Sequence, residues 1–457
     1  MSAAPLVLLA AGGTGGHLFP ALALADALQK RGAVIELATD ARAAHFKFPA
    51  RGVHIIPSAT VRGRNPISLA RTGAMLALGT AKAWTMLGRV RPAVVVGFGG
   101  YPTVPPLWAA TLRGIPSLLH EQNGVMGRAN RLLAPRVTAI ATGFRTLAKL
   151  DPRWQGKLTF TGNPIRSEVI EAAATPYAAP EPGGKLRLLV FGGSQGARVM
   201  AEIVPKALEL VPAALLVRLS IVQQARAEDD DVVRATYAKL GVAADVAPFF
   251  SDLPMRMAAA HLIIARSGAS TVAELSAIGR PAILVPLPNA LDQDQFVNAG
   301  ALEAAGGAIR IEQRDFTPGR LASEIASLAG DPSRLAHMAQ AAKSAGSIDA
   351  AERLADLVMK VAGSVSAPLT PFQTETDVLL MKLLEGHRSE QLRRTVIERP
   401  GESYIRIDVL SRHLSAFIYA DGAEISGNNV DKRFEIYDYA GLPELRRAFL
   451  DVAQQVF

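Results

Sequence analysis

A glycine-rich loop directly after an apolar run is the first segment of this sequence that could support chemistry. The loop Gly12–His17 reads Gly-Gly-Thr-Gly-Gly-His and follows the run Leu6–Ala11. Its glycines let the backbone approach a ligand closely, and a helix starting there would direct its N-terminal amides at an anion. Two nucleotide-binding patterns are excluded, because Leu18 stands where G-x-G-x-x-G needs its last glycine and no Gly-Lys-Ser/Thr follows. We therefore expect the loop to bind a diphosphate rather than to serve packing alone.

The histidine at the end of this loop is a candidate general base. A neutral imidazole at His17 could accept the proton of an attacking hydroxyl group. A histidine that only helps to cap the following helix would explain the same position equally well. The loop by itself leaves both interpretations open.

Two further polar segments follow apolar runs in the first half of the chain. Gly97–Pro102 is a second glycine cluster, and His120–Gly124 combines a carboxylate, two amides and an imidazole. The groups of the latter segment suit the hydroxyls of a sugar, although either segment alone could be a polar turn. Because parallel strands end at the same edge of a sheet, we expect the two segments to outline one site.

The second half of the chain repeats the order of apolar run, glycine loop and helix. Phe191–Ala197 contains three glycines and a serine, whose hydroxyl and neighbouring amides suit a second phosphate group. Further on, Glu274 could accept hydrogen bonds from a ribose diol with Arg266 close by, or it could close a purely structural capping box with Thr271. The amide-rich run 292–295 suits sugar hydroxyls, and a solvated helix start is its structural alternative.

Short apolar runs alternate with helical segments over the first 363 residues. This alternation predicts an α/β protein with parallel sheets covered by helices on both faces. Two series of runs, joined near Thr161–Arg166, predict two doubly wound, Rossmann-like domains that face a cleft. The predicted helices include Leu18–Arg31 and Ile67–Arg89. The predicted strands are Leu6–Ala11, Val34–Thr39, Val94–Phe98, Ser117–His120, Val137–Thr142, Leu186–Phe191, Leu215–Val222, Leu262–Ala265 and Ala282–Pro286.

The composition limits the chemistry that the chain can perform. It has 457 residues, of which 49 % are hydrophobic and none is cysteine. The lack of cysteine excludes disulfides, thiolate zinc sites, iron–sulfur clusters and a cysteine nucleophile, and no histidine or aspartate spacing indicates another metal site. A formal net charge of +8 favours an anionic partner. Nucleic acid is not the expected one, because the basic stretch lacks interleaved aromatic residues.

The basic excess surrounds an amphipathic segment. No Asp or Glu occurs between Ala41 and His120, and Pro66–Arg91 combines apolar residues, Trp84 among them, with four basic ones. This pattern predicts a helix on an anionic membrane surface or, as is commoner, one that packs on a sheet, and both can hold. No apolar run is long enough to span a bilayer and no basic signal region precedes the glycine loop, so we expect a cytoplasmic protein with peripheral membrane contact.

Residues 364–457 differ in composition from the preceding chain. They carry 11 basic and 14 acidic residues and 9 of the 26 aromatic residues. The stretch Ser364–Pro371 is typical of a linker. The pattern beyond it predicts a small α+β domain with a helix near Thr374–Arg394, strands near Tyr404–Val409 and Ala416–Tyr419, and a helix near Pro443–Val456.

The loops, taken in order, closely resemble those of the MurG family of bacterial N-acetylglucosaminyltransferases over about residues 1–363. Single loops are weak signals, whereas the ordered set is specific. The segments that carry the resemblance are Gly12–His17, Gly99–Tyr101, His120–Asn123, Gly162–Arg166, Gly192–Gly196, Arg266–Ala269 with Glu274, and Asp292–Gln295.

The resemblance implies a GT-B fold and an inverting transfer of N-acetylglucosamine from UDP-N-acetylglucosamine. The implied acceptor is the C4 hydroxyl of the muramoyl sugar in lipid I, undecaprenyl-diphospho-MurNAc-pentapeptide, and the product is lipid II for peptidoglycan synthesis. No cofactor and no metal is implied, and His17 is the implied general base. The implied substrate-binding residues are Thr14, Gly15, Gly16, Tyr101, Glu121, Asn123, Arg166, Ser194, Phe250, Arg266, Ala269, Ser270, Thr271, Val272, Ala273, Glu274, Asp294 and Gln295.

The resemblance also divides the chain into three parts. Residues 1–165 are expected to take the acceptor and face the anionic cytoplasmic surface of the inner membrane, and residues 166–363 to bind the UDP-sugar donor. Residues 364–457 have no counterpart in the family and could dock on the basic first domain or bind another cell-wall or division protein. Gln223–Arg226 is a further departure, because many relatives have a histidine-containing segment there.

Two rival functions remain open at this point. A GT-B enzyme with another lipid acceptor, such as diacylglycerol, would share the loop pattern but differ at His120–Asn123. A UDP-sugar sensor without catalysis would bind the donor and turn nothing over.

Overall fold

The structure is a computed structural model. It describes the chain except for residues 1–3, 13, 44–46, 60–64, 194, 195, 289, 291, 364–370, 385–391, 400, 401, 411, 412, 420, 421, 428, 429, 436, 437, 439, 441 and 457. Two compact units are present, Met1–Met359 and Lys360–Phe457.

The apolar runs of the first part of the chain form a seven-stranded parallel sheet, the first sheet. Its strands are rich in Val, Ile, Leu and Ala, and the central ones are buried along their length, as expected when helices cover both faces. Their order is β3-β2-β1-β4-β5-β6-β7. The bounds are β1 Leu6–Ala10, β2 Val34–Thr39, β3 Gly52–Ile55, β4 Val94–Gly97, β5 Ser117–Glu121, β6 Ala139–Thr142 and β7 Leu158–Phe160.

The runs that follow form a six-stranded parallel sheet, the second sheet, in the order β10-β9-β8-β11-β12-β13. Alternate residues of its strands enter separate cores: Leu188 packs on one face, and Leu189 and Phe191 pack on the other. The bounds are β8 Leu186–Phe191, β9 Leu219–Gln224, β10 Ala243–Ala247, β11 Leu262–Ala265, β12 Ala282–Leu284 and β13 Ala308–Arg310.

Helices cover both sheets. Those associated with the first sheet are α1 Gly15–Lys30, α2 Pro66–Val90, α3 Val104–Leu112 and α4 Arg128–Leu133. Those that follow are α5 Ser167–Ala173, α6 Arg198–Leu208, α7 Ala213–Leu216, α8 Asp230–Lys239, α9 Leu253–Ala259, α10 Ala269–Ile278, α11 Asp294–Ala304, α12 Pro318–Ala329, α13 Pro332–Ala345 and α14 Ala350–Gly363. Short 3-10 helices occupy Ala41–Ala43, Tyr101–Thr103 and Pro152–Lys157.

Each parallel sheet contains one point where the strand order reverses, and this point decides where a ligand can bind. In the first sheet it lies between β1 and β4, and in the second between β8 and β11. Loops that leave adjacent strands at such a point turn to opposite faces and leave a crevice between them. The glycine loops predicted to bind phosphate follow β1 and β8, and the second predicted glycine cluster follows β4, so the topology places all three at these two crevices.

The second compact unit has a different architecture. Five antiparallel strands form a meander, the third sheet, in the order β14-β15-β16-β17-β18, with helices on one face. In its core the aromatic rings of Phe434 and Phe449 pack edge to face, with their centroids 5.5 Å apart. The bounds are α15 Pro371–Leu383, β14 Leu392–Arg399, β15 Glu402–Val409, β16 Leu414–Ile418, β17 Gly422–Gly427, β18 Val430–Glu435 and α16 Leu442–Val456.

Two parallel doubly wound sheets and a small α+β part confirm the predicted fold class, but two predicted elements were wrong in extent. The helix expected up to Arg394 ends at Leu383, and Leu392–Arg399 is a strand paired over its whole length with β15. Its β-branched residues at 395–397 favour a pleated strand. The strand expected from Leu215 begins at Leu219, because the carbonyl of Pro212 accepts hydrogen bonds from two following amides and starts a helical turn.

Helix α2 has one buried side and one exposed side. Ala83, Met86 and Leu87 enter the core of the first sheet, whereas Leu78 and Trp84 are 58 % and 41 % exposed. The segment thus packs on the sheet and still presents apolar residues outward. Within the part of the chain that the structure describes, no helix is both long enough and apolar enough to cross a bilayer.

A glycine in α2 marks the closest backbone approach of this helix to its neighbours. A Cβ added to Gly79 would overlap the carbonyl oxygen of Pro57 and lie 3.1 Å from Pro105 Cγ, whereas one added to Gly73 would meet nothing within 4 Å. We expect Gly79→Ala to lower the free energy of unfolding by about 1–3 kcal/mol, because a backbone atom must move. Gly73→Ala, the matched control, should raise it by up to about 1 kcal/mol through helix propensity. Thermal and denaturant unfolding would measure both, and equal effects would contradict the packing account.

Candidate active site

The loop after β1 holds its histidine inside the first turn of α1. The helix begins at Gly15, and the preceding Thr14 has extended backbone angles, with φ −117° and ψ 147°. The Oγ1 atom of Thr14 lies 2.9 Å from Nδ1 of His17. The imidazole is therefore oriented by a side chain at the mouth of the loop.

The glycine cluster after β4 closes around the same imidazole. Gly100 has a φ of +74°, and a Cβ built on it would lie 3.2 Å from Cε1 of His17. A Cβ on Gly12 would lie 3.5 Å from the Nδ1 atom of His17 and 3.3 Å from Pro102 Cγ. The positive φ and the tight approach favour glycine at position 100, whereas a Cβ at position 12 would make an ordinary contact with the ring. The structure thus brings the first two predicted segments together, and Tyr101 packs against the core of the first sheet beside them.

Burial is the main reason that the His17 pKa is lowered, to about 4. The Arg42 guanidinium lowers this pKa further, and the Asp40 carboxylate, which is paired with Arg42 at 2.7 Å, partly opposes it. An imidazole with so low a pKa is neutral at pH 7 and has a lone pair available to accept a proton.

Glu121 organises the third predicted segment rather than presenting a free carboxylate. Its Oε1 accepts hydrogen bonds from the Asn123 backbone and side chain at 3.0 and 3.4 Å, and its Oε2 accepts from Gly127 N at 2.9 Å and Asn130 Nδ2 at 2.7 Å. Burial raises the pKa of this carboxyl group, and these four donors oppose the shift. Glu121 therefore fixes the loop that carries Asn123.

A buried amide joins this loop to the second half of the unit. Asn298 in α11 is fully buried, and its Oδ1 accepts from Gly124 N at 2.9 Å. Its Nδ2 donates to Asn123 Oδ1 at 3.1 Å and to Ser267 O at 3.2 Å. The sequence analysis did not single out Asn298. Only its place on a helix directly after the amide-rich run could have pointed to it.

Glu274 lies in α10 and is paired with Arg166. Glu274 Oε1 lies 3.3 Å from Arg166 Nη2, and the Arg166 guanidinium also stacks over the ring of Phe19, 4.5 Å from its centroid. Burial raises the pKa of the Glu274 carboxyl group, and Arg166 opposes the shift. Arg266, the expected neighbour, donates instead to the carbonyls of Val285 and Pro286 and to Gln313 Oε1.

The capping-box alternative for Glu274 is wrong. Helix α10 begins at Ala269 with Gly268 as its N-cap, so Thr271 lies inside the first turn instead of preceding it. Ala269, Ser270, Thr271, Val272 and Ala273, which the resemblance implies as substrate-binding residues, are the first five residues of this helix.

The amide-rich run starts helix α11 and is anchored to two neighbouring loops. Asp294 is the first helical residue, and its Oδ1 accepts from Gln295 N at 3.0 Å. Gln295 Oε1 accepts from Leu287 N at 3.0 Å, and its carbonyl accepts from Ser267 Oγ at 2.8 Å. These contacts fix the run at the end of β11, close to α10.

The second glycine loop is fixed by a glutamine that the sequence analysis treated only as a departure. Gln224 Oε1 accepts from Gly192 N at 3.2 Å, and its Nε2 donates to Pro248 O at 3.1 Å. Two residues beyond Pro248, the buried ring of Phe250 lies 4.2 Å from the Arg256 guanidinium. Gln224 thus connects the predicted phosphate loop to the segment that carries Phe250, an implied substrate-binding residue, whereas Ser194 lies outside the described residues. Among the described residues, no group of three or more His, Asp or Glu side chains could hold a metal ion.

Comparison with known proteins places this arrangement in one class. A model of the glycosyltransferase family 28 N-terminal domain matches residues 7–142, and a model of the family's C-terminal domain matches residues 187–354. The chain is 60 % identical over 365 residues to the UDP-N-acetylglucosamine–N-acetylmuramyl-(pentapeptide) pyrophosphoryl-undecaprenol N-acetylglucosamine transferase of Rhodopseudomonas palustris strain BisA53. The match covers 79 % of this chain and 98 % of that protein. The protein of the same name from Bradyrhizobium sp. strain BTAi1 is 59 % identical over 364 residues, which are 79 % of this chain and 99 % of that protein.

A solved structure agrees with these matches. The crystal structure of MurG from Acinetobacter baumannii superposes with a TM-score of 0.63 at 28 % identity and covers 78 % of this chain and 99 % of that one. The first compact unit thus has the GT-B glycosyltransferase fold. The chain belongs to glycosyltransferase family 28 and, within it, to the MurG family. About a fifth of the chain lies outside the matched length, and both family models end before residue 360.

Replacing Arg42 tests the electrostatic account of His17. In Arg42→Met the imidazolium loses a repulsive neighbour, so the pKa of His17 should rise above about 4. Asp40→Asn should move it in the opposite direction, because an attractive charge is removed. Histidine-selective NMR titration measures both shifts. Arg198→Met, which changes an exposed pair with Glu202, is the matched control and should leave the pKa of His17 unchanged.

Replacing Glu121 tests its role in holding the loop. In Glu121→Gln one acceptor oxygen becomes an amide donor that faces another donor, and we expect a loss of about 1–3 kcal/mol in the free energy of unfolding. Denaturant unfolding measures this loss, and limited proteolysis reports opening of the loop at 121–130. Glu202→Gln, an exposed control, should change stability by less than about 0.5 kcal/mol. A loss no larger than that of the control would show that the carboxylate is not what holds the loop.

Proposed function

We propose that this chain transfers N-acetylglucosamine from UDP-N-acetylglucosamine to the C4 hydroxyl of the muramoyl sugar in lipid I, which gives lipid II for peptidoglycan synthesis. The observation that carries the proposal is the position of His17, a neutral imidazole held between two glycine loops at the crevice of the first sheet. The reaction is that of the named relatives, and their whole length is matched here.

The proton transfer follows from the orientation of the imidazole. When His17 Nδ1–H donates to Thr14 Oγ1, the lone pair of Nε2 is available to the acceptor hydroxyl. The hydroxyl oxygen then attacks the anomeric carbon as the bond from that carbon to UDP breaks, and its proton passes to Nε2. Attack on the face opposite the leaving group inverts the anomeric configuration in one step, without a covalent enzyme intermediate.

The donor is assigned to the crevice of the second sheet. The first turn of α10 and the buried Glu274 are suited to the ribose and base, and Phe250 to the uracil ring. Arg166 is suited to the diphosphate, because its Nε atom is buried and has no hydrogen-bond partner in the described part of the chain. As UDP leaves, this guanidinium and the amides after β8 stabilise the developing charge. Asn123 and Gln295 are assigned to the donor sugar.

The acceptor is assigned to residues 1–165, with its diphosphate at the loop Gly12–Gly16, and the donor to residues 166–363. Helix α2 supports a peripheral position on the anionic cytoplasmic face of the inner membrane. Its exposed Leu78 and Trp84 lie among exposed basic residues, and Arg113 stacks over the Trp84 ring, 4.2 Å from its centroid. Each basic side chain near such a surface contributes about 1 kcal/mol. Cell-wall or division proteins are further proposed partners, and nucleic acid is not.

Transfer of labelled sugar to lipid I tests the proposal. We expect the full chain to convert lipid I in the presence of UDP-N-acetylglucosamine, and His17→Ala to lower kcat by about 10²–10⁴-fold with little change in the donor KM, because a general base acts in the transition state. His337→Ala, an exposed histidine in α13, is the matched control and should retain full turnover.

Four outcomes would contradict the proposal or a part of it. No transfer to lipid I would overturn it, and transfer to diacylglycerol in a parallel assay would identify another lipid acceptor in its place. Donor binding without turnover on either acceptor would indicate a sensor. Unchanged turnover in His17→Ala would remove only the assignment of the base.

A further inference from the structure

Three basic side chains surround one carboxylate where the two halves of the first unit meet. Asp292 Oδ1 lies 3.0 Å from Lys149 Nζ and 3.4 Å from Arg131 Nη2, and its Oδ2 lies 3.7 Å from Arg128 Nε. Arg128 and Arg131 belong to α4, whereas Asp292 lies just before α11. We call Arg128, Arg131 and Lys149 the basic cluster.

The basic cluster has hydrogen-bond donors that Asp292 leaves available for another anion. The Asp292 side chain is 17 % exposed, whereas those of Arg128, Arg131 and Lys149 are 50 %, 34 % and 46 % exposed. The cations are thus open to solvent around an almost buried anion. Two guanidinium groups and an ammonium group offer many more donors than one carboxylate can accept.

On both sides of this contact a residue has a left-handed backbone conformation. Lys149 has a φ of +60° and Gln293, the neighbour of Asp292, has a φ of +53°. Residues with side chains rarely adopt this left-handed region, and such strain concentrates at functional sites.

The basic cluster lies beside the groups assigned to the sugars. Arg128 directly follows Gly127, whose amide is held by Glu121, and the same loop carries Asn123. Asp292 lies just before α11, the helix that contains Gln295 and Asn298. Asn298 in turn contacts Asn123. An anion on the basic cluster would thus lie close in the fold to residues assigned to the donor sugar, whose anomeric carbon the acceptor attacks.

We propose that the basic cluster is a subsite for a carboxylate of the peptide on the acceptor, and that Asp292 occupies it when no acceptor is bound. This inference rests on the function proposed above, in which the acceptor carries a pentapeptide and therefore at least one terminal carboxylate. The internal occupant is itself a carboxylate, which fits the planar fork of an arginine. The two diphosphates of the reaction already have separate sites, at the glycine loop after β1 and at Arg166.

Two substitutions with opposite expected effects distinguish a subsite from an ion pair that only holds the two halves together. Lys149→Met removes a cation from the subsite, and we expect it to raise the acceptor KM roughly tenfold with kcat nearly unchanged. Asp292→Asn removes the internal competitor and should lower the acceptor KM several-fold. If the ion pair only held the two halves together, both substitutions would shift the acceptor KM in the same direction, because each breaks the same ion pair.

Two acceptors of matched structure show which group is recognised. One is lipid I with its peptide carboxylates free, and the other is lipid I with these carboxylates converted to amides. We expect wild type to use the amidated acceptor with a KM roughly tenfold higher, and Lys149→Met to discriminate between the two acceptors less than wild type does. Arg153→Met, which changes an exposed pair with Asp151, is the matched control and should behave as wild type.

The outcomes separate this inference from the proposed function. If wild type transfers sugar to both acceptors with equal KM, or if Lys149→Met and Asp292→Asn shift the KM in the same direction, the subsite is refuted and the transferase function stands. If wild type transfers sugar to neither acceptor, the function and the inference built on it fall together.

Discussion

In a parallel sheet the carboxyl ends of all strands lie at one edge, and this constraint determines the position of the loops that form the candidate site. A loop leaves each strand at that edge, and only where the strand order reverses do neighbouring loops diverge enough to leave a crevice. The first sheet reverses between β1 and β4, and the second between β8 and β11. His17 and Gly100 meet across the first reversal. Gly192 and Ser267 follow the two strands that flank the second.

Two buried polar side chains, Glu121 and Asn298, hold loops at this edge in place, and their burial is tolerated because they are hydrogen-bonded. Glu121 accepts four hydrogen bonds from its own loop. The amide of Asn298 accepts a hydrogen bond from Gly124 and donates one to Asn123, and it thereby connects the two halves. An unsatisfied group in either position would cost about 1–3 kcal/mol. A loop built from glycine has high conformational entropy when free, so these bonds supply the rigidity that the glycines themselves lack. The same residues therefore determine both stability and the geometry of the site.

The sequence predicted the features that repeat locally and missed those that depend on distant partners. The strands Val34–Thr39 and Leu262–Ala265 were predicted with their observed bounds, because a strand buried on both faces is predominantly apolar. The helix predicted up to Arg394 failed because Leu392–Arg399 becomes a strand only through its pairing with β15. The pairing of Glu274 with Arg166 joins residues 108 positions apart, and a capping box within four residues was the nearest local explanation. Asn298 likewise acts through contacts that no local pattern encodes.

The charge that surrounds His17 links the resting state of the site to its proposed chemistry. Burial and Arg42 keep the imidazole neutral, but a pKa of about 4 makes it a weak base at neutral pH. An acceptor diphosphate bound at Gly12–Gly16 brings negative charge to the same loop, and a nearby anion stabilises the imidazolium and raises its pKa. The proposed substrate thus strengthens the base that acts on it, while Asp40 already opposes Arg42 in the absence of substrate. In the proposed reaction, binding of the acceptor and the basicity of His17 are therefore coupled through the same loop.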